Sequence, residues 1–280
     1  MPQLDIKAEA ARLRQMYADS PRTKLMHLLL LGSKGVGKTS LITTCPRPIL
    51  IHSFDPGGVE SISREIEGAE PGWKVGDIIP DTRFEVDGMN SPRAYKLWQS
   101  EFNRLVLGGF FRGVGTYVID SLTTLATSVM WQIMAKEGRT PPGAHSGEKL
   151  DKEMGMRIQD WGTFLNTFLM LSRALSALPC HTILTGHIEK TQDSVTGAYV
   201  KRLLVAGKSQ DQIPINIPEL YILQSTPTGE RKLLTANDGS GFEATTRMGR
   251  GRFEILEKPD IRYLLQKAGY PHEDKESLSC

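Results

Sequence analysis

The stretch that decides the fold reads Leu25-Met26-His27-Leu28-Leu29-Leu30-Leu31-Gly32-Ser33-Lys34-Gly35-Val36-Gly37-Lys38-Thr39-Ser40-Leu41-Ile42. Residues 25–31 form a short apolar run suited to a buried strand, and residues 39–42 open a helix. Between them, residues 32–39 match G-x-x-x-x-G-K-[ST] at every position. Glycines at these positions let successive backbone N–H groups turn inward around phosphate oxygens, and the following helix aims its dipole at the same anion. Lys38 is the cation for the β- and γ-phosphates, and the Thr39 hydroxyl is a Mg²⁺ ligand; Ser33, Lys34, Gly35, Val36 and Ser40 complete the turn. A glycine-rich surface turn can match such a pattern by chance, but a strand before it and a helix after it argue for a nucleotide site. The expected ligands are ATP and Mg²⁺.

Outward from this stretch, strand and helix alternate. Residues 3–18 read as a helix, with Ile6, Ala10, Leu13 and Tyr17 on one face. Residues 48–53, 116–119 and 181–185 read as buried strands. Helices are expected over 91–107, from 121 to about 137, and over 153–178, the first opened by Ser91-Pro92 and the last stopped by Pro179. Residues 138–152 read as a loop. Such alternation predicts an α/β fold, a mostly parallel sheet covered by helices on both faces. After Gly186 the pattern changes to strands at 199–205, 219–224, 231–235 and 242–246, with a hairpin turn at 226–229 and a short helix at 260–267.

Three strand ends carry candidate chemistry. Asp120 closes the Thr-Tyr-Val-Ile-Asp strand, where a carboxylate beside the phosphate loop can hold Mg²⁺ through water; it can equally cap the next helix. His187 follows Thr185-Gly186 on the same carboxyl edge, either meeting the γ-phosphate or facing solvent. Asp55 ends the second strand and Glu60 lies five residues on, so one of the two can orient the attacking water. Against that, Asp55-Pro56-Gly57-Gly58 is also strong turn chemistry.

Composition narrows the class. With 34 Lys plus Arg against 32 Asp plus Glu, the net charge of +2 shows no polybasic character, so nucleic-acid binding must come from local clusters. No apolar run approaches a membrane span, and no basic start leads into an apolar stretch, so the expectation is a cytoplasmic protein without membrane partners. Three cysteines without C-x-x-C spacing do not make a disulfide framework or a zinc site.

The ordered set Gly32–Thr39, Phe54-Asp55-Pro56-Gly57-Gly58, Asp120-Ser121, Asp160-Trp161-Gly162 and Thr185-Gly186-His187 resembles the RecA-like P-loop ATPase core. It is closer still to the compact P-loop proteins encoded by bacteriophages, a family that includes single-strand annealing recombinases. The resemblance implies a RecA-like ATPase domain over residues 25–270, a helical extension over 1–24 and a polar tail over 271–280. It implies nucleotide roles for Lys38, Thr39 and Asp120, and a sensor role for His187 where RecA has glutamine. RecA carries its catalytic glutamate where this chain has Gly57, so Asp55 or Glu60 must substitute or hydrolysis is slow.

The same resemblance makes 138–152 and the stretch from His187 to about Tyr199 DNA-facing, with Arg139, Lys149, Lys152, Lys190, Lys201 and Arg202 as contacts to single-stranded DNA. It implies a homo-oligomer, a ring or filament, in the bacterial host cytoplasm, with a single-strand DNA-binding protein as a further partner. No arginine of the core is placed to complete the site within one chain, so Lys208, Arg247, Arg250 and Arg252 are candidates to reach a neighbour's nucleotide. ATP-driven recombination or annealing on single-stranded DNA is the function so implied. The alternative is a P-loop ATPase for virion assembly or protein remodelling, without nucleic acid.

Overall fold

The structure is a computed structural model that describes residues 5–20, 24–139, 155–192, 199–226, 228–239, 241 and 243–278. Its elements are α1 (Ile6–Ala18), β1 (His27–Gly32), α2 (Lys38–Ile42), β2 (Ile49–Ser53), α3 (Ser63–Ile66), β3 (Ile78–Asp81), α4 (Ala94–Leu107), β4 (Thr116–Asp120) and α5 (Leu122–Lys136). They continue with α6 (Ile158–Ser176), β5 (His181–Gln192), β6 (Tyr199–Leu203), α7 (Ser209–Ile215), β7 (Glu219–Ser225), β8 (Arg231–Leu234), β9 (Leu256–Glu257) and α8 (Ile261–Ala268).

Every residue of β1, β2 and β4 is buried, because both faces of the sheet are covered and successive side chains go to opposite cores. Leu29, Leu31, Leu50, Tyr117 and Ile119 join the core under α4, α5 and α6. Leu28, Leu30, Ile49, Ile51 and Val118 join the other, with Leu41 and Ile42 of α2 and Ile261, Leu264 and Leu265 of α8. The strand order is β3-β2-β4-β5-β1-β7-β8-β9, with β6 paired to the far end of β5. From β3 across to β7 all neighbours are parallel; β7–β8, β8–β9 and β5–β6 are antiparallel. This is the mostly parallel α/β arrangement the sequence predicts, antiparallel strands toward the C-terminus included.

Several boundaries differ from the sequence reading. Helix α4 starts at Ala94 rather than Ser91, because the Asp87 carboxylate accepts from the N–H groups of Arg93 and Ala94 and supplies the cap. Residues 243–246 form no strand: Thr245 makes one isolated bridge to Leu220, while Glu219 takes the neighbouring N–H groups of Arg247 and Met248. Strand β5 continues seven residues beyond Thr185, since β6 pairs with its extension. Strand β3, helix α7 and the two-residue β9 are short elements without a periodic signal. The polar tail folds back on the sheet's amino end: Asp274 pairs with Arg47 and Arg262, and the Lys275 ammonium donates to the carbonyls of Arg112 and Pro179. Helix α1, by contrast, buries none of its residues. Among the described residues, no helix is long and apolar enough to cross a membrane.

Three histidines are buried in this framework. His52 accepts or shares a hydrogen bond with the Tyr117 hydroxyl, His181 accepts from the Met26 N–H, and His27 bonds the Thr182 hydroxyl. Burial pushes each imidazole down to about 4, so below the ordinary value of 6.5 the unfolded chain binds the proton and the folded one does not. Stability is therefore complete above pH 6.5 and falls as pH drops toward 4, by about 1.4 kcal/mol per pH unit for each histidine. We expect the melting temperature to fall steeply from pH 7 to pH 5. In His52→Asn that slope should shrink by about a third, whatever the variant does to the melting temperature at pH 7; an unchanged slope would refute the assignment.

Candidate active site

Register brings the candidate residues to one edge. Gly32 pairs with His187 between β1 and β5, and Ser53 pairs with Asp120 between β2 and β4. The phosphate loop, Asp55, Asp120 and His187 therefore line one cleft of about 570 Å³ at the carboxyl ends of the strands.

Lys38 is only 7% exposed, and its ammonium donates to the carbonyls of Gly32 (2.9 Å) and Ser33 (3.2 Å). Burial pushes its pKa down, while the carboxylates of Asp120 and Asp55 work the other way. The Thr39 hydroxyl donates to Asp120 Oδ2 at 2.9 Å, and the Thr185 hydroxyl donates to Asp120 Oδ1. Burial pushes the Asp120 carboxyl above its ordinary range, with the Asp55 charge adding to the effect; the two hydroxyls and Lys38 offset it only in part. A hydroxyl and a half-compensated buried carboxylate, oxygen donors only, suit a hard divalent cation, so Thr39 and Asp120 fit Mg²⁺. Asp120 is not the helix cap; the Ser121 hydroxyl caps α5.

Of Asp55 and Glu60, Asp55 is the one that reaches the cleft. Burial pushes its pKa up, but hydrogen bonds from His187, Thr124 and Ser121 together outweigh this and leave it lowered. Glu60 is exposed outside the cleft lining, its carboxyl beside Gly57. His187 Nδ1 lies 3.4 Å from the Lys38 ammonium and Nε2 lies 3.2 Å from Asp55 Oδ2. An ammonium can only donate, so Nδ1 is the acceptor and Nε2 carries the proton toward Asp55. The His187 N–H is held by Thr123 Oγ1. His187 thus links the loop lysine to the candidate base rather than facing solvent.

The remaining candidates are dispersed. Arg139 is no surface contact: its guanidinium makes a buried ion pair with Asp160 at 2.8 Å and donates to the Gly155 carbonyl, because it ties together residues on either side of 140–154. Lys149 and Lys152 lie outside the described residues. Lys190, Lys201 and Arg202 stand on the β5–β6 hairpin, and Arg202 lies 3.5 Å from Asp211. Lys208 and Arg250 are exposed, Arg247 borders a separate groove, and Arg252 donates to the Ala268 carbonyl at the end of α8. One arginine that the sequence did not single out does line the cleft: Arg231, at the start of β8. No motif announces it, since its position follows from the β7–β8 hairpin. The hydroxyls of Thr123 and Thr124 were equally unmarked, although their place in the first turn of α5 follows directly from Asp120-Ser121.

A protein-family profile described as an AAA domain matches residues 24–248, most of the chain. The chain belongs to this AAA domain family. The AAA domain is a P-loop ATPase domain, and its loop geometry is that of a nucleotide site. Among solved structures it is similar to the RadB recombinase, with 13% identity and a TM-score of 0.41 over 78% of this chain and 84% of that one. It is also similar to the ATPase EscN, solved with its central stalk EscO from the type III secretion system of enteropathogenic E. coli, with 12% identity and a TM-score of 0.41 over 72% of this chain. The match spans 42% of the EscN chain. No curated protein sequence matches the chain.

Two substitutions test the site. Lys38→Ala should weaken nucleotide binding by about a hundredfold with an unchanged circular dichroism spectrum, since it removes a buried charged donor. Asp120→Asn should abolish the extra affinity that Mg²⁺ gives ATP while leaving metal-free binding near wild type, as read by fluorescent-nucleotide titration. Equal loss with and without Mg²⁺ would reduce Asp120 to a purely structural role.

Proposed function

We propose that the AAA domain hydrolyses ATP and couples this to single-stranded DNA, as in recombination or annealing of the kind bacteriophages encode. Lys38 and the loop N–H groups bind the phosphates, and Asp55, kept ionised and oriented by His187, Ser121 and Thr124, positions the attacking water. Thr39 and Asp120 hold Mg²⁺, which when bound neutralises phosphate charge.

The observation that carries the DNA reading is a like-charge pair on the β5–β6 hairpin. Lys190 and Lys201 lie directly opposite each other in the ladder, which puts two cations side by side on one face of the hairpin, where a polyanion could meet both. Beside it, a groove of about 500 Å³ is lined by Lys201, Arg202 and Arg247, with Asp211 and Glu243 also on its wall, over an apolar floor that includes Leu220 and Ile222 against which bases could lie. A ring or filament would give such a strip continuity. The protein-remodelling alternative draws on a different feature, an uncharged cleft of about 510 Å³ between α4, α5 and α6, lined by Tyr95, Trp98, Phe102 and Phe168.

Single-stranded DNA should stimulate ATP turnover by the full chain. Lys190→Gln with Lys201→Gln should weaken DNA binding and lower the slope of log affinity against log salt by about 1.4, two phosphates at roughly 0.7 each. If DNA neither binds nor stimulates, the remodelling alternative stands in its place.

A further inference from the structure

Strand β1, which feeds the phosphate loop, has β5 on one side and β7 on the other. Asp55, Asp120 and His187 all come from the β5 side, from β2, β4 and β5. Arg231 comes from the opposite side, as the first residue of β8 paired with Ser225 of β7. Its guanidinium lies against Gly37: a Cβ built on that glycine would stand 2.6 Å from both Cζ and Nη1. Gly37 is the left-handed N-cap of α2, with φ of 98°, so the arginine covers the point where the loop enters its helix.

Two facts need explaining. Arg231 is an exposed hairpin residue free to extend into water, yet it folds down onto a loop already made positive by Lys38 and a helix N-terminus. Among the described residues no carboxylate pairs with it. A guanidinium placed there finds its counter-charge only in an anion bound to the loop. Direction follows from the chemistry opposite. The transferred phosphoryl group must lie toward Asp55, His187 and the Thr39–Asp120 pair, so the rest of the nucleotide runs the other way, toward β7 and β8.

We propose that Arg231 grips the α- and β-phosphates of the nucleotide bound to its own chain. The inference rests on the P-loop nucleotide site described above. Arg231 makes a ground-state contact that persists through the reaction, so it sets affinity and leaves the chemical step to the opposite side of the cleft. ADP and ATP gain from it equally. The planar fork of the guanidinium suits two phosphate oxygens at once, which an ammonium cannot match.

The test uses the full chain with Arg231→Ala, Arg231→Gln, Arg231→Lys and, in parallel, Lys38→Ala. Dissociation constants for ADP and a non-hydrolysable ATP analogue are measured with kcat and KM for ATP. Both Arg231→Ala and Arg231→Gln should weaken ADP and the analogue together by about 10- to 100-fold and raise KM to match, with kcat changed by less than about threefold. Arg231→Lys should recover part of the loss. A loss confined to the ATP analogue, or a collapse of kcat with ADP affinity intact, would overturn the proposal and make Arg231 a group for the transferred phosphate. Unchanged binding of both nucleotides would overturn it as well. Wild-type ADP affinity in Lys38→Ala would instead strike at the nucleotide site itself, and is thereby told apart from a failure of Arg231.

Discussion

An ionised carboxylate taken out of water costs several kcal/mol unless hydrogen bonds and a counter-charge replace what it loses. Asp120, 3% exposed, is in that position, and the architecture of the catalytic edge follows from how it is satisfied. One oxygen takes the hydroxyl of Thr39 from α2 and the other takes that of Thr185 from β5. Its backbone carbonyl accepts the N–H of Phe54 as the chain leaves β2. A single residue at the end of β4 thus fixes the relative placement of β2, β5 and the helix behind the phosphate loop. The compensation is incomplete, as the upward push on its pKa records, and the deficit is one that a divalent cation beside Thr39 makes good.

The same reasoning orders the second layer of the site. Lys38, nearly as buried, is tethered by two loop carbonyls that belong to the turn it must serve, so a phosphate arriving in the loop competes with Gly32 and Ser33 for its protons. Asp55 escapes the fate of Asp120 because three donors converge on it, one of them an imidazole. Two carboxylates in one cleft are therefore driven apart in basicity by their surroundings, which is how separate roles are assigned to chemically identical groups. The Asp55 carboxyl is held below its ordinary range and the Asp120 carboxyl above it, which fits the proposed division between a base and a metal ligand. On the other side of the loop, among the described residues, Arg231 lines the cleft without a carboxylate partner.

How much of this was legible in the sequence depended on whether a residue's role is local. The phosphate loop declares itself because strand, glycines and lysine are contiguous, and Asp120 and His187 could be placed because a buried strand ends visibly at each. The parallel core could be read for the same reason. Arg231 could not, because its closeness to Gly37 depends on which strands lie beside β1, and adjacency of β7 to β1 is a product of tertiary packing. Arg139 misled in the opposite sense. A basic residue at the edge of a glycine- and proline-rich stretch reads as solvent-facing, whereas its partner Asp160 sits 21 positions on, in the first turn of α6. The missed start of α4 is of the same kind, since the cap comes from Asp87 in the loop and not from the adjacent serine.

Strand β5 joins the two halves of the proposed function physically. Its first residues lie inside the parallel sheet, His187 stands at the loop, and its last five pair with β6, so no break separates the catalytic edge from the basic hairpin. The packing there is close: a Cβ on Gly186 would lie 2.8 Å from the side-chain methyls of Leu203 of β6 and Leu31 of β1, so glycine suits the position. Coupling between two sites requires that each bias the same element, and it can be no larger than the difference in a ligand's contacts between that element's two positions. His187 meets this condition on the nucleotide side, because its bonds to Lys38 and Asp55 both terminate on groups that a bound phosphate must engage. On the other side the proposed contact is with Lys190 and Lys201, cross-strand neighbours on the extension of the same strand. In the proposed function, any free energy that passed between nucleotide and hairpin would be bounded by two short sets of polar contacts at opposite ends of one strand.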